Sequence, residues 1–272
     1  MSSPDSGPNA AGRIVAVANQ KGGVGKTTTA VNLGTALADA KQRVLIVDFD
    51  PQGNATTHLG LGQAQRRLTA YDVLVGRAPA RQAVQPTDVV GLHVLPSVVD
   101  LSAAEVELAQ DQDRAGRLAE ALAPLREQFD VVLIDCPPSL GVLTVNALVA
   151  ADGVLIPLQC EFFALEGLSL IVRTVDRIRR ASNSKLRIEG IVLTMFDRRN
   201  NLSDQVAVDV RSFMGTRVFE TVIPRNVRVS EAPSFGQPVQ RYDLQCPGSI
   251  AYAHLAREYL ERLRGPDSRR AA

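Results

Sequence analysis

This 272-residue chain has no tryptophan, only three cysteines, and no apolar run approaching the roughly 18 residues needed to cross a bilayer. Cys136, Cys160 and Cys246 are far apart and form no Cys-x-x-Cys pair, which argues against a disulfide framework and a zinc site. Residues 1–12 are rich in Ser, Pro, Gly and Asn and lack the apolar core of a signal peptide. These absences predict a cytoplasmic protein with no membrane partner.

The length and composition fit one folded domain. With 45% hydrophobic residues, the chain has enough apolar side chains for a core. We predict a single domain over residues 13–264, a disordered tail over 1–12 and a flexible tail over 265–272. No linker, internal repeat or low-complexity block interrupts the predicted domain.

Charge is distributed unevenly along the chain. The net charge is +1, but residues 171–272 carry +7 and residues 1–170 carry −6. This asymmetry indicates a basic face contributed by the C-terminal part. The alternative is that these charges belong to ordinary solvated helix surfaces, and charge alone does not decide between the two.

Short apolar runs rich in β-branched residues alternate with segments of helical spacing. The predicted strands are Ile14–Ala18, Val44–Val47, Val131–Ile134, Val154–Pro157 and Ile188–Leu193, with Leu92–Leu95 and Val218–Val222 as weaker candidates. The predicted helices are Thr28–Ala40, Ala115–Gln128, Leu143–Ala150, Leu165–Ala181, Ser203–Phe213 and Ser249–Arg264. This alternation predicts an α/β fold, with a doubly wound, mostly parallel sheet and helices on both faces.

The segment between the first strand and the first helix has the composition of a phosphate-binding loop. Its residues are Lys21, Gly22, Gly23, Val24, Gly25, Lys26, Thr27 and Thr28. Glycines let the backbone N–H groups surround phosphate oxygens. Lys26 is placed to reach the β- and γ-phosphates, and the Thr27 hydroxyl to ligate Mg²⁺. The alternative is a glycine-rich turn with incidental lysines, but strand, loop, Lys-Thr and helix follow one another in the required order.

The loop departs from the ordinary pattern at its start. Gln20 occupies the position of the usual first glycine, and a second lysine, Lys21, follows it. Two of the four lysines in the chain lie in these eight residues. A phosphate-binding loop with this second lysine is the variant called deviant Walker A.

Three aspartates follow predicted strands at the edge of the sheet where ligands bind in α/β folds. Asp135 ends the run Val131–Ile134, as expected of a Walker B residue that holds Mg²⁺. The alternative for Asp135 is a helix or turn cap. Asp48 and Asp50 follow the second strand and are separated by one residue.

Several separated motifs together resemble one family. They are KGGVGKTT (21–28), DFDPQGN (48–54), DCPPS (135–139), QCEFFALEG (159–167) and IPRNVRVSEAPSFG (223–236). The loop is similar to those of the deviant Walker ATPases, and the full set looks like the ParA/Soj chromosome-partitioning ATPases. The likeness extends from about residue 13 to about residue 264, which is nearly the whole chain.

The resemblance implies an ATPase that uses ATP and Mg²⁺ and works as an ATP-sandwich homodimer. It implies that Asp50 orients the attacking water and that Asp48 supports the Mg²⁺ shell. Because a free Asp has a pKa of about 4, positioning describes the role of Asp50 better than proton abstraction. The resemblance further implies that Lys21 reaches the partner subunit's ATP, and that Pro224 and Asn226 border the adenine.

For DNA, the family's basic residues map by motif onto Arg199 and Arg228, with weaker support for Arg198, Arg225 and Arg241. Arginine binds phosphate through a bidentate fork and reads no base in doing so. We therefore expect non-specific binding to double-stranded DNA in the nucleoid. The alternative for each arginine is an ordinary surface residue. The implied stimulating partner is a ParB-type centromere-binding protein.

Two functions from other classes are weighed against this one. A membrane-surface regulator of division would need an apolar, basic C-terminal helix, but Glu258 and Glu261 interrupt that face. We therefore expect residues 249–264 to pack on the sheet. An iron–sulfur reductase would need two cysteines per subunit at a dimer axis, and the cysteine spacing does not resemble a cluster site.

Overall fold

The computed structural model describes residues 12–264, so the tails predicted at 1–11 and 265–272 lie outside the described part of the chain. Gly12, which the sequence analysis placed in the N-terminal tail, is buried, and its N–H donates to the Arg126 carbonyl oxygen at 2.7 Å. A Cβ at this position would overlap the carbonyl oxygen of Phe129. Only glycine fits this entry into the first strand.

Seven strands form one sheet. They are β1 (Arg13–Val17), β2 (Val44–Asp48), β3 (Gln85–Pro86), β4 (Leu92–Leu95), β5 (Val131–Asp135), β6 (Gly153–Gln159) and β7 (Arg187–Thr194). Their order is β3-β4-β2-β5-β1-β6-β7, and every pair except β3–β4 is parallel. The predicted α/β fold is confirmed, including the weaker strand Leu92–Leu95. The two-residue β3 is too short to produce a periodic signal.

Helices cover both faces of this sheet. They are α1 (Lys26–Asp39), α2 (Asn54–His58), α3 (Ala70–Leu74), α4 (Ala80–Ala83), α5 (Ala104–Glu107), α6 (Arg117–Leu122), α7 (Val142–Ala150), α8 (Ala164–Ala181), α9 (Asn201–Met214), α10 (Val227–Glu231), α11 (Val239–Tyr242) and α12 (Pro247–Arg264). Alternate residues of each strand point to opposite faces. One core therefore joins the sheet to α1 and α12, and the other joins it to α6, α7, α8 and α9.

The C-terminal helix α12 packs as predicted. Its side chains Tyr252, Leu255 and Tyr259 are fully buried in the core that α12 shares with α1. Within residues 12–264, no helix is long and apolar enough to cross a membrane.

Two predicted elements differ from the structure. The helix predicted over 115–128 is only the six residues of α6, because Pro124 lacks an N–H donor and a 3₁₀ turn takes over at Ala123. The strand predicted over 218–222 is an irregular segment beside β7 with one isolated bridge, from Ile191 to Val218.

The reason for the second difference lies in α12. The backbone N–H groups of Glu220 and Thr221 donate to the Glu258 carboxylate at 2.9 and 3.0 Å. One carboxylate therefore accepts from two consecutive N–H groups, which a regular strand would point to opposite sides, so the segment does not continue as a strand there.

Candidate functional site

The loop between β1 and α1 has the backbone shape that the sequence predicts. Gly23 and Gly25 have φ angles of +76° and +87°, which L side chains rarely adopt. No atom lies within 4 Å of a Cβ built at Gly22 or Gly23, so the backbone is open to a bound group. The loop leads into the N-terminus of the 14-residue α1, where N–H groups and the helix dipole favour an anion.

Side chains from neighbouring strands hold this loop in place. The Thr194 hydroxyl, at the end of β7, donates to the Val24 carbonyl oxygen at 2.9 Å. The Asn19 side chain donates to the Pro157 carbonyl oxygen at 2.8 Å and accepts from the Lys21 N–H at 3.1 Å. Asn19 and Thr194 were not predicted from the sequence, because single polar residues at strand ends carry no periodic signal.

Lys26, at the start of α1, is buried within the loop. Its ammonium group donates to the Lys21 carbonyl oxygen at 3.0 Å and so spans the loop. Burial lowers the pKa of Lys26, while the nearby negative charges of Asp135 and Asp50 oppose that shift. A desolvated cation of this kind interacts strongly with phosphate because little water competes with it.

Asp48 and Asp135 lie side by side at the ends of two neighbouring strands. They are partners in the β2–β5 register, and Asp135 is also paired with Val17 of β1, directly before the loop. Both aspartates are fully buried. The sheet thus brings the predicted Walker B residue to the base of the phosphate-binding loop.

The Asp135 carboxylate has the environment of a cation ligand. Neither oxygen has a hydrogen-bond partner, although both are buried. Burial and then the charge of Asp48 raise the pKa of Asp135 well above its usual range, and the nearby Thr27 hydroxyl opposes this rise. A buried carboxylate without a donor is costly, and a metal ion would compensate it. The residues therefore fit Mg²⁺.

No cluster of three or more His, Cys, Asp or Glu side chains suited to a metal occurs between residues 12 and 264. Mg²⁺ is usually held by one or two carboxylates, water and substrate phosphates instead of an all-protein cage. Thr27, next to Lys26 in the first turn of α1, supplies a hydroxyl near Asp135.

Asp48 differs from Asp135 because protein groups already occupy its oxygens. Its Oδ2 accepts from the Thr56 N–H at 2.7 Å and from the Thr56 hydroxyl at 2.6 Å. Its Oδ1 accepts from the Asp50 N–H at 3.4 Å. Burial raises the pKa of Asp48 to about 6, although the Thr56 hydrogen bonds oppose the shift. The predicted role of Asp48 in supporting the Mg²⁺ shell stays a prediction.

Asp50 lies two residues beyond the end of β2, at the same edge of the sheet. It is 8% exposed, and its Oδ1 accepts from the Gln52 N–H at 3.0 Å. The charge of Asp50 raises the pKa of both Lys26 and Asp135. Asp50 thus shares the edge of the sheet with the loop and the Walker B residue.

Lys21 is oriented differently from Lys26. Its ammonium group forms an ion pair with Glu161, which follows β6, and its side chain is 40% exposed. The sequence analysis did not single out Glu161, since a charged residue in a loop has no pattern of its own. Of the two lysines in the loop, one is buried among the acidic groups and the other lies at the surface.

A second loop pair lies beyond β7. Phe196 and Pro224 form an isolated bridge, and the Arg225 N–H donates to the Phe196 carbonyl oxygen at 3.0 Å. Met195, just before, has a φ angle of +50°. The side-chain Oδ1 of Asn226 caps α10 by accepting from the Val229 N–H at 3.3 Å.

The two arginines predicted for DNA are accessible but paired within the chain. Arg199 makes a bidentate ion pair with Asp197, at 3.0 and 2.9 Å, and its side chain is 87% exposed. Arg228 pairs with Glu231 at 3.0 Å and with Asp243 at 3.5 Å. Solvent screens exposed pairs of this kind, so a phosphate can compete for either arginine.

Of the three arginines predicted with weaker support, Arg198 and Arg225 lie close to Arg199. Arg198, Arg199 and Arg225 line one cleft of about 890 Å³ between β7, the Pro224 segment and the start of α12. Arg241 lies elsewhere and pairs with Asp39 at 2.5 Å.

The three cysteines do not have the environment of an iron–sulfur site. Cys136, Cys160 and Cys246 are all buried and unpaired with one another. Burial raises the pKa of Cys136 far above its usual range and that of Cys160 to about 11. Cluster ligands must be thiolates, which these environments disfavour.

The fold and the site define a P-loop ATPase with a second lysine in its phosphate-binding loop. The family model described as an AAA domain matches residues 12–188. The chain is 59% identical over 261 residues to the chromosome partitioning protein ParA of Caulobacter vibrioides (strain NA1000 / CB15N), covering 95% of this chain and 98% of that protein. It is 50% identical over 247 residues to the sporulation initiation inhibitor protein Soj of Bacillus subtilis (strain 168), covering 91% and 98%. The chain belongs to the ParA/Soj family of chromosome-partitioning ATPases.

The solved structures show how widely this fold is used. The cobyrinic acid a,c-diamide synthase of Mycobacterium smegmatis, with bound ADP and magnesium, has a TM-score of 0.82 and 38% identity to this chain, and the match covers 93% of this chain and 96% of that one. Since one fold hosts several functions, the named relatives and the site residues carry the functional argument.

Proposed function

We propose that this ATPase is a nucleotide-dependent switch for chromosome segregation. In this proposal an ATP-sandwich homodimer binds DNA without sequence preference, and hydrolysis releases it. The carrying observation is the contrast between the two lysines of the loop. Lys26 is 7% exposed and lies among the acidic groups, whereas the Lys21 side chain is 40% exposed and paired with Glu161. This contrast supports a role for Lys26 at its own subunit's phosphates and a role for Lys21 at those of a second molecule.

ATP binds through the loop and Lys26, with Mg²⁺ held by Thr27 and Asp135. The unpartnered oxygens of Asp135 support this assignment. Mg²⁺ held there would supply positive charge that neutralises the phosphates of ATP. Asp48 lies beside Asp135 and supports the shell indirectly, since its own oxygens accept hydrogen bonds from Thr56 and Asp50.

Hydrolysis requires a water aligned with the γ-phosphate. Asp50 orients that water, and the partner's copy of the second lysine adds a positive charge where the transition-state charge spreads. These two effects differ. Orienting the water reduces the entropy lost in reaching the transition state, whereas the lysine charge stabilises the transition state electrostatically. We therefore expect slow turnover in the free chain and faster turnover when a partner improves the geometry.

The adenine lies against the loops around Met195 and Pro224. Asn226 uses its side-chain Oδ1 to cap α10, so the N–H groups of its side-chain amide remain to donate to the base edge. Pro224 supplies an apolar surface beside the base.

DNA binds through Arg199 and Arg228, with Arg198 and Arg225 adding charge in the cleft beside Arg199. Dimerisation doubles this set on one surface, so the second contact benefits from a high effective concentration. The stimulating partner is a ParB-type protein whose basic N-terminal segment approaches the dimer. The working location is the nucleoid.

The test is a binding titration on a non-specific duplex with ATP, with ADP and without nucleotide, alongside light scattering. We expect a dimer and tight DNA binding with ATP only. With ATP, the variant Asp50→Ala should still dimerise and bind DNA. It should nearly stop hydrolysis, so that the dimer persists. A monomer with ATP, or equal DNA binding in all three nucleotide states, would contradict the switch.

A further inference from the structure

The loop that carries Asp50 begins and ends on one carboxylate. At its start, Asp48 Oδ1 accepts from the Asp50 N–H at 3.4 Å. At its end, Asp48 Oδ2 accepts from both the N–H and the hydroxyl of Thr56, at 2.7 and 2.6 Å. Residues 49–55, which we name the Asp50 arc, are therefore closed by Asp48.

The Thr56 hydroxyl connects this closure to the chain just after β4. The Ser97 N–H donates to Thr56 Oγ1 at 3.0 Å. Because an amide N–H only donates, the hydroxyl accepts from Ser97 and gives its single proton to Asp48. Thr56, Asp48 and Ser97 are all fully buried. The hydroxyl thus donates its single proton and accepts one hydrogen bond, and it fixes the end of the arc both to β2 and to the chain just after β4.

Arg66 restrains the same arc from outside. Its guanidinium donates to the Ser97 carbonyl oxygen at 3.1 Å and to the Thr57 hydroxyl at 2.7 Å. Gly53 lies beneath it in the arc, with a φ angle of +64°, and a Cβ there would lie 2.6 Å from Arg66 Nη1. The arc is therefore held at its ends and packed closely along its outer side.

We propose that Thr56 is a positioning residue for ATP hydrolysis, whose hydroxyl fixes the Asp50 arc so that the Asp50 carboxylate faces the attacking water. The inference rests on the proposed role of Asp50. The Asp50 side chain accepts from the Gln52 N–H within the arc, so its direction follows the backbone of the arc. Lys26 and the glycine loop do not belong to the arc, so we expect the Thr56 hydroxyl to affect hydrolysis more than ATP binding.

The experiment compares Thr56→Val, Thr56→Ala and Thr56→Ser in steady-state ATPase assays of the full chain. Val matches the shape of Thr without the hydroxyl, and Ser keeps the hydroxyl without the methyl group. A displacement of about 1 Å at a reacting group costs up to about 100-fold in rate, so we expect a loss of kcat of about tenfold or more for Val and Ala. The KM for ATP should change little, and Ser should retain most of the activity.

A purely structural role gives a different pattern. It would lower nucleotide affinity and the unfolding temperature together with kcat, and activity would follow side-chain size instead of the hydroxyl. Equal kcat for the Ser and Ala variants would overturn the inference, and that comparison holds even where the Val variant does not fold. As a further test, Thr56→Val should have almost no effect on hydrolysis in the Asp50→Ala background, because two residues acting through one group are not additive.

The outcomes separate this inference from the proposed function. If Asp50→Ala hydrolyses ATP at the wild-type rate, the role of Asp50 itself is wrong. If Asp50→Ala is inactive while Thr56→Val has wild-type kcat, the Asp50 role stands and the positioning role of Thr56 is wrong.

Discussion

Asp135 and Asp48 are register partners on adjacent parallel strands and are both fully buried, yet only Asp48 receives hydrogen bonds. Two buried carboxylates side by side repel each other, and the charge of Asp48 raises the pKa of Asp135. This repulsion destabilises the folded chain at the base of the loop, and a bound cation would reduce it.

The first prediction concerns the stability cost of Asp135. Burial raises its pKa in the folded state above the value of about 4 in the unfolded chain. The stability from the bound proton is fully present below that unfolded pKa and is lost as the pH rises through the folded pKa. Without Mg²⁺ and nucleotide, Asp135→Asn should therefore be more stable than wild type at pH 8, by about 1–3 kcal/mol, with little difference near pH 4.

Thermal unfolding over this pH range measures the effect. Asp88→Asn, at an exposed position, is the matched control and should follow the wild type. Adding Mg²⁺ and nucleotide should stabilise the wild type strongly and the Asp135→Asn variant weakly. A variant less stable than wild type at pH 8 would contradict the assignment of Asp135 as an uncompensated metal ligand.

The second prediction concerns Lys26. Removing one member of a buried charge pair costs about 2–5 kcal/mol, so Lys26→Ala should weaken ATP binding by about two orders of magnitude or more. Equilibrium binding of a fluorescent nucleotide measures it. Lys185→Ala removes an exposed lysine elsewhere and should bind normally. Near-wild-type affinity of the Lys26 variant would refute the assignment of the loop.

Much of this site follows from local sequence. The loop and the Walker B aspartate lie at strand ends, and strands of buried β-branched residues are recognisable from their composition. The edge of the sheet that collects Asp48, Asp50 and Asp135 then follows from parallel topology alone. The structure confirms this common edge.

The contacts that tune the site do not follow from sequence. Thr56 hydrogen-bonds to Asp48 from the far end of a closed turn. Glu161, which follows β6, forms an ion pair with Lys21, which follows β1. Such pairs are set by tertiary packing, and one polar residue in a loop carries no period that would reveal its partner. The irregular segment 218–222 was predicted wrongly for the same reason, because the side chain that caps it comes from α12.

The third prediction separates the two lysines of the loop. Lys21→Ala should still bind ATP through Lys26 and the backbone but should remain a monomer, because its own ammonium group lies at the surface. Glu161→Gln is the matched control. It removes the ion pair yet keeps Lys21, and since a partly exposed pair contributes only about 0–1 kcal/mol, this variant should still dimerise with ATP. Light scattering at equal protein concentration decides, and an ATP-dependent dimer of Lys21→Ala would show that Lys21 does not act across an interface.

The last prediction concerns the DNA surface, and it depends on the dimer. Arg199 and Arg228 are exposed cations whose present partners, Asp197 and Glu231, hold them only weakly. Each phosphate neutralised releases counterions, so the logarithm of affinity should fall with the logarithm of salt concentration by about 0.9 per contact. Changing either arginine to alanine should lower this slope by about 1 per arginine lost from a subunit and weaken binding equally on unrelated duplexes.

Arg81→Ala offers the matched control for this experiment. Arg81 is an exposed arginine of α4, next to β3 at one edge of the sheet, whereas Arg199 follows β7 at the opposite edge. Its loss should leave the salt slope unchanged, while ATPase activity without DNA should survive in all three variants because none of these arginines lies at the phosphate-binding loop. A salt series on two unrelated duplexes, with ATP and with ADP, tests every part of this expectation. A strong preference for one duplex would mean that bases are read directly. An unchanged slope in both the Arg199 and Arg228 variants would place the DNA on another face of the molecule.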